Sequence, residues 1–461
     1  MTTAAYKWVF FAILLAMPAC MPDTGGVDPP SDRLIYPVGL ATTPNDQFLL
    51  AVNSNFDLKY NAGTLVALDL SILDQHLAAS PDGDGLVYGT ACGDDGVSTT
   101  SRDGQYCFVD DGALIREDET LRLGAFASDL QLTPAGDRAV IPVRGDRAIL
   151  LVDVDEDGPD VLSCGEGADR RCDTAHKVMS NSEHTLPIEP YEVAVLDMEE
   201  TNADGSSTPV TLGFATHIAG GQVSLFSISR GPAGSPVQAD LLSVIDGVVG
   251  GASGIAANPV AGEVYVAGRS DATPHVAVLE VKSDSENGSL TSDPWFSQTD
   301  HVSLSAEMYA GTDARGIAVS PDGKRAFLAT RTPDALIKLD MENYEFMDMT
   351  TVCLNPSVVT TFNYDEETAD PSDDTLYAFV LCFYTGQVYI VDTELMQSEV
   401  RAIGSGPQAI AFDATRKLIY IADFRESNIS VLQAVPPFAQ LKDADGRVVR
   451  IGVPRLPQSH G

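Results

Sequence analysis

The clearest hydrophobic pattern in the chain is a repeated unit of apolar segments separated by turns. Residues 314–340 contain an apolar segment, a Pro-Asp-Gly turn, a second apolar segment, another turn, and a segment in which apolar and polar residues alternate. Alternation with a period of two, together with β-branched residues, is typical of strands, and Pro-Asp-Gly suits a tight turn with a left-handed glycine. The unit therefore predicts three strands, at Gly316–Val319, Arg325–Thr330 and Ala335–Asp340.

The same unit occurs seven times, and a segment before the next copy, such as Glu345–Val352 or Leu121–Ala125, can add a fourth strand. One four-stranded sheet cannot bury both of its faces, and radial stacking of seven sheets explains the repeat without helical patterning. We therefore predict an all-β, seven-bladed β-propeller of four-stranded antiparallel blades. The alternative is a sandwich or several small β domains. The copies are residues 37–69, 127–153, 191–226, 252–280, 314–340, 356–392 and 407–432.

The predicted propeller extends over residues 33–455, and a short tail, residues 456–461, follows it. Either residues 447–454 or residues 33–36 should complete the terminal blade and join the two ends of the ring. An acidic insertion of about 40 residues, at about 78–118, follows the first copy, and an excursion of that length usually has structure of its own.

Two of the copies indicate a family resemblance. The letters GIAVSPDG followed by LATRTPDALIKLD, and PQAIAFD followed by IYIADFRESNISVL, resemble the YVTN-type propeller repeats of YncE-like and surface-layer-related proteins. The resemblance covers residues 37–432 and implies the propeller fold, which hosts many activities. Lactonases built on a similar propeller share the turns, but their catalytic positions cannot be matched here.

The N-terminus has the pattern of an export signal. Lys7 precedes an apolar run from Trp8 to Ala16, which is too short to span a bilayer. The segment resembles a bacterial lipoprotein signal peptide, residues 1–19, with cleavage before Cys20 and acylation of its thiol; the alternative is an ordinary cleaved signal. Residues 20–32 then predict a flexible tether, which would attach the protein to a membrane of the bacterial cell envelope, facing the periplasm or the surface.

The remaining six cysteines agree with export. They allow 15 pairings, of which the pairing of sequence neighbours is Cys92–Cys107, Cys164–Cys172 and Cys353–Cys382. Disulfides persist in oxidising compartments. The rival interpretation, thiolate metal ligands, has little support because the sequence contains no CxxC pair.

The charge of the chain excludes one class of partner. The 461 residues include 28 Lys and Arg against 66 Asp and Glu, a formal net charge of −38. Nucleic-acid binding requires a basic face for the phosphates, so we expect no nucleic acid as a partner.

Basic residues nevertheless recur at one structural position. In a propeller, the loops that leave each second strand and enter each first strand emerge on one face, beside the central channel. If the basic side chains at this position converge beside the channel, together with Arg315 from a neighbouring loop, they would form a positive site for an anionic ligand. The alternative is a solvated rim of ion pairs, which contributes little to stability. The residues just after the aligned second strands are Arg144, His217, Arg269, Arg331 and Phe383.

A second candidate site is the acidic sequence Asp153-Val-Asp155-Glu-Asp157-Gly158. This spacing matches the opening of a calcium-binding loop, but its twelfth position is Cys164 rather than Glu, which excludes an EF-hand. The sequence therefore leaves open weak calcium binding, the only cofactor it suggests, or an acidic turn.

Sequence motifs for catalysis are scarce. The chain lacks GxSxG, HExxH, a P-loop and a GxGxxG that opens a helix. The sequence therefore favours an exported, lipid-anchored binding module that recognises an envelope protein or a small anionic ligand through one face. The alternative is a lactonase-like hydrolase with its site at the channel mouth.

Overall fold

Seven antiparallel sheets form a closed ring in the computed structural model of the protein. The first strands of neighbouring sheets pack against one another around a central channel, and the first strand of blade one contacts that of blade seven. The structure describes residues 26–80, 85–165, 167–201, 206–229, 239–270, 275–282, 295–304, 313–365 and 374–453. The predicted signal peptide, Cys20 and the C-terminal tail lie outside these residues.

Within each blade, the strands follow one another from the channel outward in chain order. Most blades have the four strands that the repeats predicted. Blade one contains Pro37–Thr42, Phe48–Asn53, Gly63–Asp69 and Leu121–Leu123, and blade two contains Gln131–Leu132, Arg138–Val143 and Ala148–Val154, with Leu162–Ser163 and Lys177–Val178 both on its outer edge. Blade three contains Pro190–Thr201, Ser207–His217, Gln222–Ile228 and Leu241–Ile245, and blade four contains Ala252–Asn258, Glu263–Gly268, His275–Lys282 and Trp295–Ser303. Blade five contains Ala314–Val319, Arg325–Arg331, Asp334–Asp340 and Glu345–Thr351, blade six contains Pro356–Tyr364, Thr375–Cys382, Gln387–Asp392 and Gln397–Ala402, and blade seven contains Pro407–Asp413, Leu418–Asp423, Asn428–Gln433 and Val448–Ile451.

The hydrophobic core lies between the blades. The described residues form seven apolar clusters, and each is shared by two neighbouring sheets. Alternation along a strand places apolar side chains on both faces of a sheet, so every blade needs a neighbour on each side. The ring arrangement satisfies this requirement for all seven blades.

Blade seven is larger than predicted, because the insertion from blade one joins it. Val448–Ile451 supplies the fourth strand, and Tyr106–Val109 pairs with it in parallel. Ser98–Thr100 then adds a sixth strand. Residues 33–36 form no strand, so the first of the two predicted closing segments is the one that completes the blade.

The insertion has structure of its own. It contains a short hairpin, Leu77–Ala79 with Leu86–Tyr88, and a helix at Asp111–Leu114. Another helix, Leu70–Asp74, precedes it, and one-turn 3-10 helices lie at Glu117–Glu119 and Ala168–Arg170. No helix within the described residues has the length and apolar character needed to cross a membrane.

All six described cysteines form the pairs expected from their order in the chain. The Cα–Cα distances are 5.6 Å for Cys92–Cys107, 4.6 Å for Cys164–Cys172 and 5.9 Å for Cys353–Cys382. Each distance lies within the range of protein disulfides. The prediction of three disulfides is confirmed.

Candidate functional site

One backbone hydrogen bond fixes equivalent residues around one end of the channel. In six blades, the amide of the residue that follows the second strand, or ends it in blade five, donates to a carbonyl in the segment that leads into the first strand. We call this end of the channel the mouth. The described donor and acceptor pairs are Ser54 and Tyr36, Arg144 and Phe126, Ile218 and Glu189, Arg269 and Gly251, Arg331 and Asp313, and Phe424 and Gly406, at 2.9–3.3 Å. Blade three therefore has Ile218 at the equivalent position, and His217 lies one residue earlier.

Four arginines come together on one side of the mouth, and we call Arg144, Arg269, Arg315 and Arg331 the arginine sector. The pKa of the Tyr191 hydroxyl is raised by burial and by Glu192, while the charges of Arg269, Arg315 and Arg144 act to lower it. The pKa of Arg331 is lowered by its burial and by Arg315. The side chains of blades two, four and five therefore share one electrostatic environment.

Two carboxylates pair with three of these guanidinium groups. Glu189 lies 3.3 Å from Arg144, while Asp313 lies 2.7 Å from Arg315 and 3.9 Å from Arg269. Arg331 donates through Nε to the carbonyl of Pro356 at 2.9 Å.

The arginine side chains are buried more deeply than a solvated rim would require. Their exposed fractions are 32% for Arg144, 38% for Arg269 and 13% for Arg315. Among the described residues, the buried Nε atoms of Arg144 and Arg315 have no hydrogen-bond partner. Buried donors without a partner are unfavourable, so the sector has hydrogen-bonding capacity that its own carboxylates do not use.

His217 does not add to this positive charge, contrary to the expectation from the sequence. Its ring is fully buried, with Nδ1 3.2 Å from the carbonyl of Ile188 and Nε2 3.0 Å from Ser224 Oγ. Burial lowers the pKa of His217 to about 4. The imidazole is therefore neutral near pH 7, and its hydrogen bonds join the loop before blade three to that blade.

Two carboxyl groups near the arginine sector were not singled out from the sequence. Asp129 accepts hydrogen bonds from the amides of Leu130 at 2.7 Å and Val193 at 3.0 Å. Burial raises the pKa of Asp129 to about 6. The pKa of Glu192 is raised well above its usual value by burial and by the charge of Asp129, with Arg315 opposing.

Aligning the first strands would have drawn attention to both carboxyl groups. In three blades the second residue of the aligned first strand is a serine that donates its hydroxyl to a carbonyl in the next blade, whereas blade three has Tyr191 and blade five has Arg315 there. Asp129 and Glu192 occupy the next position, which is glycine in blades one, four and five. Acidic residues at a position that is otherwise uncharged are the signal that was available. The serine bonds run from Ser128 to Tyr191, from Ser253 to Ala314 and from Ser357 to Pro407, at 2.6, 2.9 and 3.3 Å.

Aromatic rings occupy the other side of the mouth. Phe383 and Phe424 occupy the equivalent positions of blades six and seven, and their ring centroids lie 5.9 Å apart. Phe424 also contacts Tyr36 at 5.1 Å and Phe56 at 5.5 Å. The mouth thus combines a charged side with an aromatic side.

The acidic sequence considered for calcium is divided between different environments. Asp153 lies 3.0 Å from the buried Arg138 and 3.6 Å from His176. Asp155 packs beside Gly158, and Asp157 is exposed.

The three carboxylates are therefore not brought together as a ligand set. Within the described part of the chain, one group of three possible ligands lies close enough to share an ion: Cys92, Cys107 and Asp443. The two cysteines of that group form a disulfide, so their sulfurs are not thiolate ligands.

Comparison with known proteins gives structural similarity at low sequence identity. No protein-family model matches the chain, and no curated protein matches it. Similar solved structures include a putative 6-phosphogluconolactonase from Bacteroides fragilis, 14% identical, with a TM-score of 0.43, covering 81% of this chain and 86% of that one. Another is Chaetomium thermophilum Sqt1 bound to the N-terminus of the ribosomal protein L10, 11% identical, with a TM-score of 0.49 and coverage of 89% and 87%. A protein from Lactobacillus plantarum is 12% identical, with a TM-score of 0.46 and coverage of 81% and 86%.

Proposed function

We propose that the protein is an exported, lipid-anchored binding module of the bacterial cell envelope. Its mouth recognises an anionic group, either on a small molecule or on a partner protein. The observation that carries the proposal is the arginine sector, in which the buried Nε atoms of Arg144 and Arg315 find no acceptor within the part of the chain that the structure describes. A carboxylate or phosphate would supply acceptors to guanidinium donors in the geometry that these groups favour.

Two observations support export and anchoring. The N-terminal sequence has an apolar run that ends at Cys20, and the propeller has three disulfides of the kind that persist outside the cytosol. Intact-mass measurement of the natively purified protein tests this part directly. The expected mass corresponds to a chain that begins at an acylated Cys20; a chain that retains residues 1–19 would contradict it.

Titration calorimetry with inorganic phosphate tests anion recognition. The variants Arg331→Gln and Arg269→Gln should each weaken binding by roughly 10-fold or more, because a hydrogen bond to a charged group contributes about 1.5–3 kcal/mol. The matched control is Lys324→Gln, which removes an exposed ion pair with Glu342 on the opposite face and should leave binding unchanged. Absence of binding by phosphate, sulfate and citrate alike would overturn the proposal.

Asp129 favours one alternative function, a lactonase-like hydrolase. A carboxyl group with a pKa of about 6 could transfer protons near neutral pH, and its neighbour Glu192 also feels the charge of Arg315, a possible cationic stabiliser. Proton release from a sugar δ-lactone, measured against buffer, tests this alternative. Hydrolysis that Asp129→Asn abolishes would support it, and a rate equal to that of buffer would dismiss it.

A further inference from the structure

We propose that the anion recognised at the mouth carries an aromatic ring. The acidic group lies on the arginine sector and the ring lies on the aromatic side of the mouth. This inference rests on the proposed function and narrows it to one class of ligand. The evidence is the order of residues around the ring, the exposure of the aromatic side chains, and two strained backbone positions.

The same repeat position changes its chemistry around the channel. Blades two, four and five have arginine there, whereas blades six and seven have Phe383 and Phe424. Because these residues are equivalent in their blades, the cationic and aromatic groups face the same space. A ligand with one acidic end and one aromatic end matches this order.

The two sides adjoin at the junction of blades five and six. The Nε of Arg331 donates to the carbonyl of Pro356 in the first strand of blade six. Pro356 pairs with Cys382, the residue immediately before Phe383. One ligand can therefore contact both sides without spanning the whole channel.

The aromatic side is open to a ligand. Phe56 and Tyr384 are 57% and 56% exposed, and Phe56 also contacts Phe126 edge-to-face, with centroids 6.2 Å apart. Arg425 is exposed and lies over the rings of Phe383 and Tyr384, at 4.7 Å and 5.2 Å from their centroids. Exposed aromatic rings in contact with one another form a platform on which another ring can stack.

Two of these aromatic residues have an unfavourable backbone conformation. Tyr36 and Phe126 precede the first strands of blades one and two with φ of 50° and 61°. The equivalent residues of blades three, four, six and seven are Glu189, Gly251, Asn355 and Gly406, with φ of 55°, 62°, 58° and 73°. The left-handed turn is therefore shared by six blades, and two of them place an aromatic residue there. Bulky side chains rarely adopt this left-handed region, and such residues concentrate at functional sites. Here Tyr36 places its ring beside Phe424, and Phe126 places its ring beside Phe56.

Competition between three probes tests the proposal by calorimetry: inorganic phosphate, phenyl phosphate and cyclohexyl phosphate. Phenyl phosphate should bind at least 10-fold more tightly than inorganic phosphate. Cyclohexyl phosphate, of similar size but without a π-system, should bind roughly 2- to 10-fold more weakly than phenyl phosphate.

Variants separate the two sides of the mouth. Phe383→Leu and the more exposed Phe56→Leu should each reduce the preference for phenyl phosphate and leave the affinity for inorganic phosphate unchanged. Arg331→Gln should weaken both probes together. Tyr106→Leu, at an aromatic contact in the insertion, is the control and should change neither.

The possible failures are distinguishable. Equal affinity for phosphate and phenyl phosphate would overturn this inference and leave anion recognition intact. Binding of neither probe would overturn both this inference and the proposed function. An undiminished preference for phenyl phosphate in both Phe383→Leu and Phe56→Leu would also contradict the proposed position of the ring.

Discussion

Asp423 is a fully buried carboxyl group at the mouth end of the second strand in blade seven. Its Oδ2 accepts a hydrogen bond from Ser430 Oγ at 2.7 Å, and its Oδ1 has no hydrogen-bond partner. Burial raises the pKa of Asp423 to about 7, with the charge of Arg450 opposing the rise. This residue therefore makes the stability of blade seven sensitive to pH.

The folded state keeps a proton on Asp423 between roughly pH 4 and pH 7, where the unfolded chain has released it. The free energy of unfolding should therefore fall as the pH rises through this window. Asp423→Asn should remove that part of the slope and raise stability at pH 8 by about 1–3 kcal/mol, measured by urea unfolding at pH 5 and pH 8. The exposed Asp157→Asn is the control, and an unchanged slope in Asp423→Asn would contradict the assignment.

The repeats are equivalent, so the sequence could predict which residues lie at the mouth. It could not predict the burial and the hydrogen bonds of their side chains. Spacing from the third strand, with a loop two residues longer in blade four, aligned Arg144, Arg269 and Arg331. The hydrogen bond that His217 makes with the carbonyl of Ile188 involves a loop whose path the repeat does not specify. Asp129 and Glu192 stand out only when the first strands are aligned, and their burial depends on the bulge in those strands, which in blade three lies between Pro190 and Val193.

At the scale of elements, one strand pairing attaches the insertion to blade seven and one disulfide closes the insertion on itself. Cys107 lies in the strand Tyr106–Val109, which pairs with the fourth strand of blade seven, and its partner Cys92 lies 15 residues earlier. Local alternation predicted the strands of the repeats. It could not predict this parallel pairing, because the two strands are far apart in sequence and nothing in either one specifies the other.

Removing the disulfide, which joins two parts of the insertion, should loosen the insertion and weaken its pairing with blade seven. The double variant Cys92→Ser with Cys107→Ser should lose about 3 kcal/mol of stability, as expected for a closed loop of this length. Hydrogen exchange should accelerate at residues 98–109 and 448–451. The matched control, Cys164→Ser with Cys172→Ser, should accelerate exchange in blade two instead, and unchanged protection of residues 98–109 would refute the role assigned to the insertion.

At the scale of the whole molecule, the first strands of neighbouring blades approach one another closely at the channel. A Cβ atom added to Gly39 would lie 2.6 Å from Leu130 Cβ and 2.9 Å from the Leu130 nitrogen of the next blade. At Gly254, the nearest atoms are in Gly316, at 3.3 Å. The first glycine is therefore a steric requirement for the junction of blades one and two, and the second a weaker one.

Gly39→Ala should accordingly push blades one and two apart. We expect a loss of about 1–3 kcal/mol, the usual effect of overpacking, seen as a lower unfolding midpoint in urea. Gly254→Ala should have a smaller effect. Equal stability of Gly39→Ala and the native protein would show that the two blades are less tightly packed than the structure indicates.

The position of the insertion also determines the order in which the molecule can be assembled. Residues 98–109 are synthesised before the strand they pair with, Val448–Ile451, and five complete blades separate the two in the sequence. Until that strand has been synthesised, these residues have no partner for their edge amides. The insertion therefore waits for its native neighbour while the intervening blades are made, and blade seven is completed only after all of them.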